Sequence, residues 1–200
     1  MTRNEELNEQ MRDERREQIR SMAVKLFAIR GLQATKIADI AKAVGMSQGL
    51  MYHYYPSKEA IFVEIIESAF EKMSAAARGL SRLPLSPEEK LETAVTEVLD
   101  SIKTSDEFIW TSVLITMASV SDTVPEAASA VIEREREIPY KTIERIVRAG
   151  QKAGTVRKGT PRDLSLVFWT AVKGLAMHKA ALGSGFKPPH PDVLRTIFFE

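Results

Sequence analysis

Apolar residues recur at three- and four-residue spacing along almost the whole of this chain, and nearly every such run is bounded by helix punctuation. That pattern confines the fold to packed helices. Ile19, Met22, Ala23, Leu26 and Phe27 define one buried face and predict a helix over about 13–30, stopped at Gly31. Thr35 is placed to cap a short second helix over 35–44, with Ile37, Ile40 and Ala41 inward. Gly45 supplies a turn, Ser47 caps a third short helix, and Pro56-Ser57 precede a long fourth. That helix carries Ile61, Phe62, Ile65, Ile66, Ala69, Phe70 and Met73 and fades near Gly79.

Further along, Ser86-Pro87-Glu88-Glu89 combines a capping Ser, a first-turn Pro and a Glu three residues after the cap. Thr104-Ser105-Asp106-Glu107 and Thr160-Pro161-Arg162-Asp163 repeat the pattern. Pro125 opens a helix expected to run to about 153, kinked at Pro139 and ended by Gly154. Another helix runs from Pro161 to about Leu182, and a last one starts near Pro191. Strand signals are scarce, and neither an internal repeat nor a low-complexity tract appears. The reading is an all-α fold of about nine helices: a flexible polar arm over 1–12, a three-helix head over 13–56, a connecting helix over 57–80, and a helical body over 81–200.

Composition narrows the function classes. The chain has no cysteine, which excludes disulfides and thiolate chemistry and fits a reducing cytoplasm. It opens with polar residues rather than a signal peptide, and no apolar run approaches the roughly 20 residues that a membrane span needs. Residues 1–58 hold 10 Lys and Arg against 7 Asp and Glu, whereas the remainder is net acidic. The basic excess therefore sits in the head, as expected if the head meets a polyanion.

Two short helices joined by a glycine turn have the geometry of a helix-turn-helix, in which the second helix enters the DNA major groove. Here that helix begins Ser47-Gln48-Gly49-Leu50-Met51-Tyr52-His53-Tyr54. Gln48 is the long, bidentate-capable side chain at its start and the best candidate for a base contact. Gly49 permits close backbone approach, and Tyr52, His53 and Tyr54 present flat surfaces with polar tips to phosphate and sugar. Thr35 and Lys36 can reach phosphate from the start of the preceding helix. Lys58 opposes the dipole of the helix it opens, so an external anion would explain it. Capping alone accounts for much of Thr35, Ser47 and Ser57; Tyr55 reads as core and Lys42 as a solvated charge.

The run Thr35-Lys36-Ile37-Ala38-Asp39-Ile40-Ala41 through Val44-Gly45-Met46-Ser47-Gln48-Gly49, Tyr52-His53-Tyr54-Tyr55 and Ser57-Lys58-Glu59 resembles the DNA-binding signature of the TetR family of transcriptional regulators. Ala23 to Phe27 and Arg30-Gly31 match that family's first helix and its stop. Close matching covers 13–62; Tyr55 stands where the family usually has Phe. The resemblance implies a homodimeric repressor on double-stranded, palindromic operator DNA, released by a small-molecule effector bound among the C-terminal helices. It implies no cofactor, no metal and no membrane.

In the body, Trp110, Leu114 and Met117 share one helix face, and Phe168 and Trp169 enrich another. Such stripes are more often plain core, but their bulk makes these five the candidates for lining an effector pocket, and they favour a mainly apolar effector. Gly174 in a helical run points to close helix approach, a possible dimer seam. His178 reads as a core or interface residue, and Glu133 to Glu137 as a solvated face. An enzyme is the first rival class. The three His are far apart in sequence, and no metal-ligand or phosphate-loop spacing is present. A helical carrier with a silent head is the second, separable by salt-dependent DNA binding. Repression rather than activation rests on the family analogy.

Overall fold

The computed structural model describes residues 3–200, with side chains from Glu5 onward. No strand appears among them, and the chain folds into α-helical segments, two of them about a single turn long. In order these are α1 (Arg3–Ala34), α2 (Ile37–Ala43), α3 (Gln48–Met51), α4 (Lys58–Arg82), α5 (Pro87–Thr104), α6 (Asp106–Ala118), α7 (Glu126–Glu135), α8 (Ile138–Ala153), α9 (Pro161–Leu182) and α10 (Pro191–Arg195). None of these helices is long and apolar enough to cross a membrane.

The all-α reading holds, and several boundaries move for identifiable reasons. Met1 and Thr2 of the expected arm lie outside the described residues, as does the side chain of Arg3. Residues 3–12, however, continue α1. They are exposed on every side from Glu5 on, so no apolar stripe announces them. Good helix formers, with Glu5 and Glu6 in the first turn facing the positive end of the helix dipole, extend a helix already anchored by Ile19 and Ala23. At the other end Gly31 breaks the helix at φ +77°, as its glycine predicts.

The helix expected from Pro125 to 153, kinked at Pro139, is instead two. α7 ends at Glu135, two residues turn, and Pro139 falls in the first turn of α8. There its missing N–H would have had no intrahelical partner, so restarting the helix avoids the clash that a continuous one would carry. The cap at the start of α6 is one residue later than expected. Ser105 Oγ accepts from the Phe108 N–H at 3.1 Å, while Thr104 turns its hydroxyl back to the Asp100 carbonyl. Thr160 precedes α9 without a side-chain cap. The capping box at Ser86 and Glu89 forms in both directions, at 3.2 and 2.8 Å.

Two apolar clusters hold the chain together. One joins α1, α2, α3 and α4 to α6 and α7, through residues such as Phe27, Ile40, Met51, Phe62, Leu114 and Val131. The other unites α5, α8, α9 and the C-terminal segment around Leu91, Val147, Phe168 and Phe198. α4 runs along the first cluster, and its Leu80 packs against the second. α1 and α4 together therefore tie α2 and α3 to the helices that follow.

Candidate functional site

Local chemistry builds the head's outer end. α2 closes with the Met46 N–H donating to the Ala41 carbonyl at 2.8 Å, and Gly45 makes the turn at φ +69°. Ser47 then caps α3, its Oγ accepting from the Leu50 N–H at 3.2 Å. Met51 is fully buried beneath this helix and pins it to the core. Pinning by one residue leaves Gln48, Gly49, Leu50, Tyr52 and His53 exposed, with Tyr54 half-buried. Lys36 is also exposed, at the start of α2, where Asp39 Oδ2 accepts its backbone N–H at 3.1 Å. Lys36, Ser47, Gln48, Gly49, Tyr52 and His53 are thus all accessible around a helix-turn-helix.

One expected contact is corrected, and another residue has internal partners that the sequence did not show. Thr35 is completely buried: its hydroxyl donates to the Gly31 carbonyl at 2.8 Å, and Lys36 rather than Thr35 is the N-cap residue of α2. A side chain turned inward to satisfy the carbonyls released at the Gly31 break has no phosphate within reach. Lys58 is likewise occupied from within. Its Nζ donates to the Leu32 and Gln33 carbonyls at 2.8 and 3.1 Å. The end of α1 supplies these acceptors, so the half-exposed lysine at the start of α4 already has internal partners.

The sequence did not show an ion-pair network beneath the end of α3. Glu64 on α4 accepts from Arg16 and from Arg20, the latter at 2.6 Å, and from the Tyr55 hydroxyl at 3.0 Å. Arg16 also donates to the Tyr54 carbonyl at 3.1 Å, with its guanidinium 4.4 Å from the centre of the Tyr55 ring. Partial burial opposes ionisation of Glu64, but the hydrogen bonds from Arg20, Arg16 and Tyr55 outweigh it and hold its carboxyl below the usual range. Burial, and then the charge of Glu64, push the Tyr55 phenol well above its ordinary value. Arg16 and Arg20 sit four residues apart, a visible i,i+4 pair. Their partner lies more than forty residues away, where no spacing rule reaches.

Behind the head lies a cavity of about 420 Å³, within the size range of small-molecule pockets. Phe168 and Trp169 line it as expected. Trp110, Leu114 and Met117 do not. Trp110 and Leu114 pack on the head-side cluster, with Lys25 Nζ 5.3 Å from the Trp110 ring centre, and Met117 is 51% exposed. α6 turns another face to the cavity, namely Phe108, Thr111, Ser112 and Ile115. Being largely apolar all round, α6 gave periodicity no basis for choosing a face. The wall also includes Arg20 and Val24 of α1 and Ile65, Ala69 and Met73 of α4, so these two helices enclose part of it. Gly174 and His178 are exposed; nothing in this chain approaches within 4 Å of a Cβ added at Gly174. No group of acidic, His or Cys side chains suited to a metal occurs among the described residues.

Residues 19–65 match the family model described as "Bacterial regulatory proteins, tetR family". The chain is 28% identical over 164 residues to the HTH-type transcriptional repressor KstR2 of Rhodococcus jostii (strain RHA1), covering 80% of this chain and 78% of that protein. Among solved structures, the MbdR regulator from Azoarcus sp. CIB superposes with a TM-score of 0.78 at 19% identity, over 90% of this chain and 95% of that one. The ketosteroid transcriptional regulator KstR2 of Mycobacterium tuberculosis does so with a TM-score of 0.71 at 19% identity, over 93% and 95%. At such identities the structural likeness is one of fold.

Proposed function

For this chain, which belongs to the TetR family of transcriptional regulators and is not an enzyme, we propose a homodimeric repressor released from a palindromic operator by a small, mainly apolar effector. The proposed division of labour is a reading head over 13–56, a connecting helix over 57–80, and an effector-binding and dimerising body over 81–200. DNA is the partner of the head, which places the protein in the cytoplasm. Gln48 reads base edges, and Lys36, Ser47, Gly49, Tyr52, His53 and Tyr54 meet phosphate and sugar.

The observation that carries this reading is the shared wall. Arg20 lines the cavity and also bonds to Glu64, whose other partners Arg16 and Tyr55 hold the chain at the end of α3. A ligand that alters this wall alters the seat of the reading helix. In a dimer, each head meets one half-site, and affinity depends on head spacing matching a groove repeat of roughly 34–36 Å. An effector that binds a wrongly spaced conformer more tightly must then release DNA by linkage.

A stripe on α9 supports the dimer. Leu166, Val167, Gly174 and Met177 lie toward one side of the helix at its 3.6-residue repeat and are all exposed. A twofold axis through such a face would cover it with its own copy, and Gly174 would let the two backbones come close.

Selecting bound fragments from the source organism's genomic DNA tests the reading. The wild type is expected to enrich a palindromic site, and a folded Lys36→Ala, Gln48→Ala, Tyr52→Ala variant to lose it. Enrichment of nothing by the folded wild type at low salt would move the carrier reading to the front.

A further inference from the structure

The two sides of the cavity wall differ in what they leave open to a ligand. α8 and α9 contribute Thr142 and Lys173 beside apolar residues, and no carboxylate. Thr142 is 6% exposed and makes no side-chain hydrogen bond among the described residues. Its hydroxyl is not sealed off either, because the Trp169 indole nitrogen alone is both closed and unpartnered among those residues. Lys173 is exposed, so it stands where the cavity opens. It has no ion-pair partner among the described residues, and its Nζ lies 5.4 Å from the Tyr140 ring centre.

The other cations of the wall are engaged: Arg20 is held by Glu17 and Glu64, and Lys72 by Glu107 at 2.5 Å. On the α5 side Glu97 is exposed and also lacks an ion-pair partner among the described residues. The hydroxyls next to it along the chain are taken. Ser101 donates to the Glu97 carbonyl at 2.8 Å, and Ser105 caps α6. A cationic ligand would therefore meet one solvated carboxylate. A carboxylate on the opposite side would meet an ammonium and a hydroxyl, both of them donors, and bonds to an ionised acceptor are the stronger kind.

Resting on the reading of this cavity as the effector site, we propose that the effector is an amphipathic carboxylic acid, bound as its carboxylate by Lys173 and Thr142. The carboxylate accepts from the Lys173 ammonium and from the Thr142 hydroxyl, on the neighbouring helices α9 and α8. The apolar body of the molecule fills the space beside Phe108, Ile115 and Val172. Its charged end stays at the opening, still partly hydrated, which avoids the cost of enclosing a charge completely. The same exposure leaves the charge contact open to screening by salt.

The test uses the full chain and three probes that share one alkyl tail: decanoate, decanol and decylammonium. Calorimetry should give decanoate about tenfold tighter binding than decanol, the scale of a charge-assisted hydrogen bond at a half-open site, with decylammonium weakest. That advantage should be largely lost in Lys173→Met, kept in Lys173→Arg, reduced in Thr142→Val and unchanged in Glu97→Gln. It should also shrink as salt is raised. Equal binding of decanoate and decanol, or an advantage that survives Lys173→Met, overturns the carboxylate proposal while the cavity reading stands. Tightest binding by decylammonium, lost in Glu97→Gln, overturns it too and gives the site to cations. Failure of all three probes to bind the folded wild type overturns the proposal and the cavity reading together, leaving the DNA-reading head to its own test.

Discussion

The head and the body solve opposite problems with the same kind of helix. In the head, short helices expose nearly everything except a few anchors, and Met51 alone pins the four-residue α3. In the body, long helices bury their apolar faces and, together with α1 and α4, enclose a cavity. A reading surface must present polar side chains at fixed places, so each exposed residue is constrained by local turns and caps. A cavity must be apolar and shaped, and many side-chain choices satisfy that. The difference explains why the head carries a specific sequence signature while the body, in which the likeness to other regulators is mainly one of fold, does not.

The largest effect should come from the anchors of the head. Phe27 is buried and meets Phe62 edge-on at 5.4 Å. Phe27→Ala should cost about 3–5 kcal/mol in chemical denaturation, because it removes a large side chain and leaves a cavity. Phe168 is just as buried, with the Trp169 and Phe198 rings 5.2 and 5.3 Å away, and Phe168→Ala should cost a comparable amount. A much smaller loss at Phe168 would mean that the body is the more loosely packed of the two.

Two glycines sharpen the comparison within the body. A Cβ on Gly150 would lie 2.3 Å from Val156 Cγ2, so Gly150→Ala should destabilise by about 1–3 kcal/mol. Gly174 has open space around its Cβ position. Gly174→Ala should therefore leave the protomer unharmed or raise helix stability by about 0.5–1 kcal/mol. If α9 seals a dimer there, the same substitution should weaken dimerisation in sedimentation runs.

Two lysines do the same for the head. Lys58→Ala removes donors from the Leu32 and Gln33 carbonyls and should cost about 1–2 kcal/mol of stability. Lys36→Ala should leave unfolding unchanged and lower the salt dependence of DNA binding by about one phosphate's worth. The reverse pattern would return Lys58 to the DNA.

The smallest effect is one of pH. Glu64, on α4 beneath the head, holds its carboxyl below the ordinary range. The stability this gives is present at neutral pH and is lost as pH falls through its lowered folded value. Glu64→Gln should flatten that part of the acid limb in pH-dependent unfolding. An unchanged acid limb would mean that the network adds nothing to folding.

What the sequence made legible follows the range of its signals. Caps and glycine turns act over three or four residues, so Ser47, Ser57, Gly31, Gly45 and the Ser86 box appear where local chemistry put them. The inward turn of Thr35 and the internal bonds of Lys58 were illegible, because each depends on where α1 ends relative to a residue far along the chain. The cavity was half legible. Bulk identified Phe168 and Trp169, but α6 offered several apolar faces, and only tertiary packing, chiefly against α1 and α9, selected the one holding Phe108 and Ile115. The split at Pro139 followed a local rule whose two outcomes, kink or restart, differ only in tertiary context.

The most direct test of the central claim is a salt titration of operator affinity, using a site selected by the wild type, for the wild type and Gln48→Ala. The account predicts that affinity falls steeply and linearly in log–log form, by roughly 0.9 log unit per log unit of salt for each phosphate neutralised. Gln48→Ala should keep that slope and lose discrimination at one base position of each half-site. Binding without salt dependence, or a Gln48→Ala variant that reads every base as the wild type does, would contradict the assignment of α3 as the reading helix.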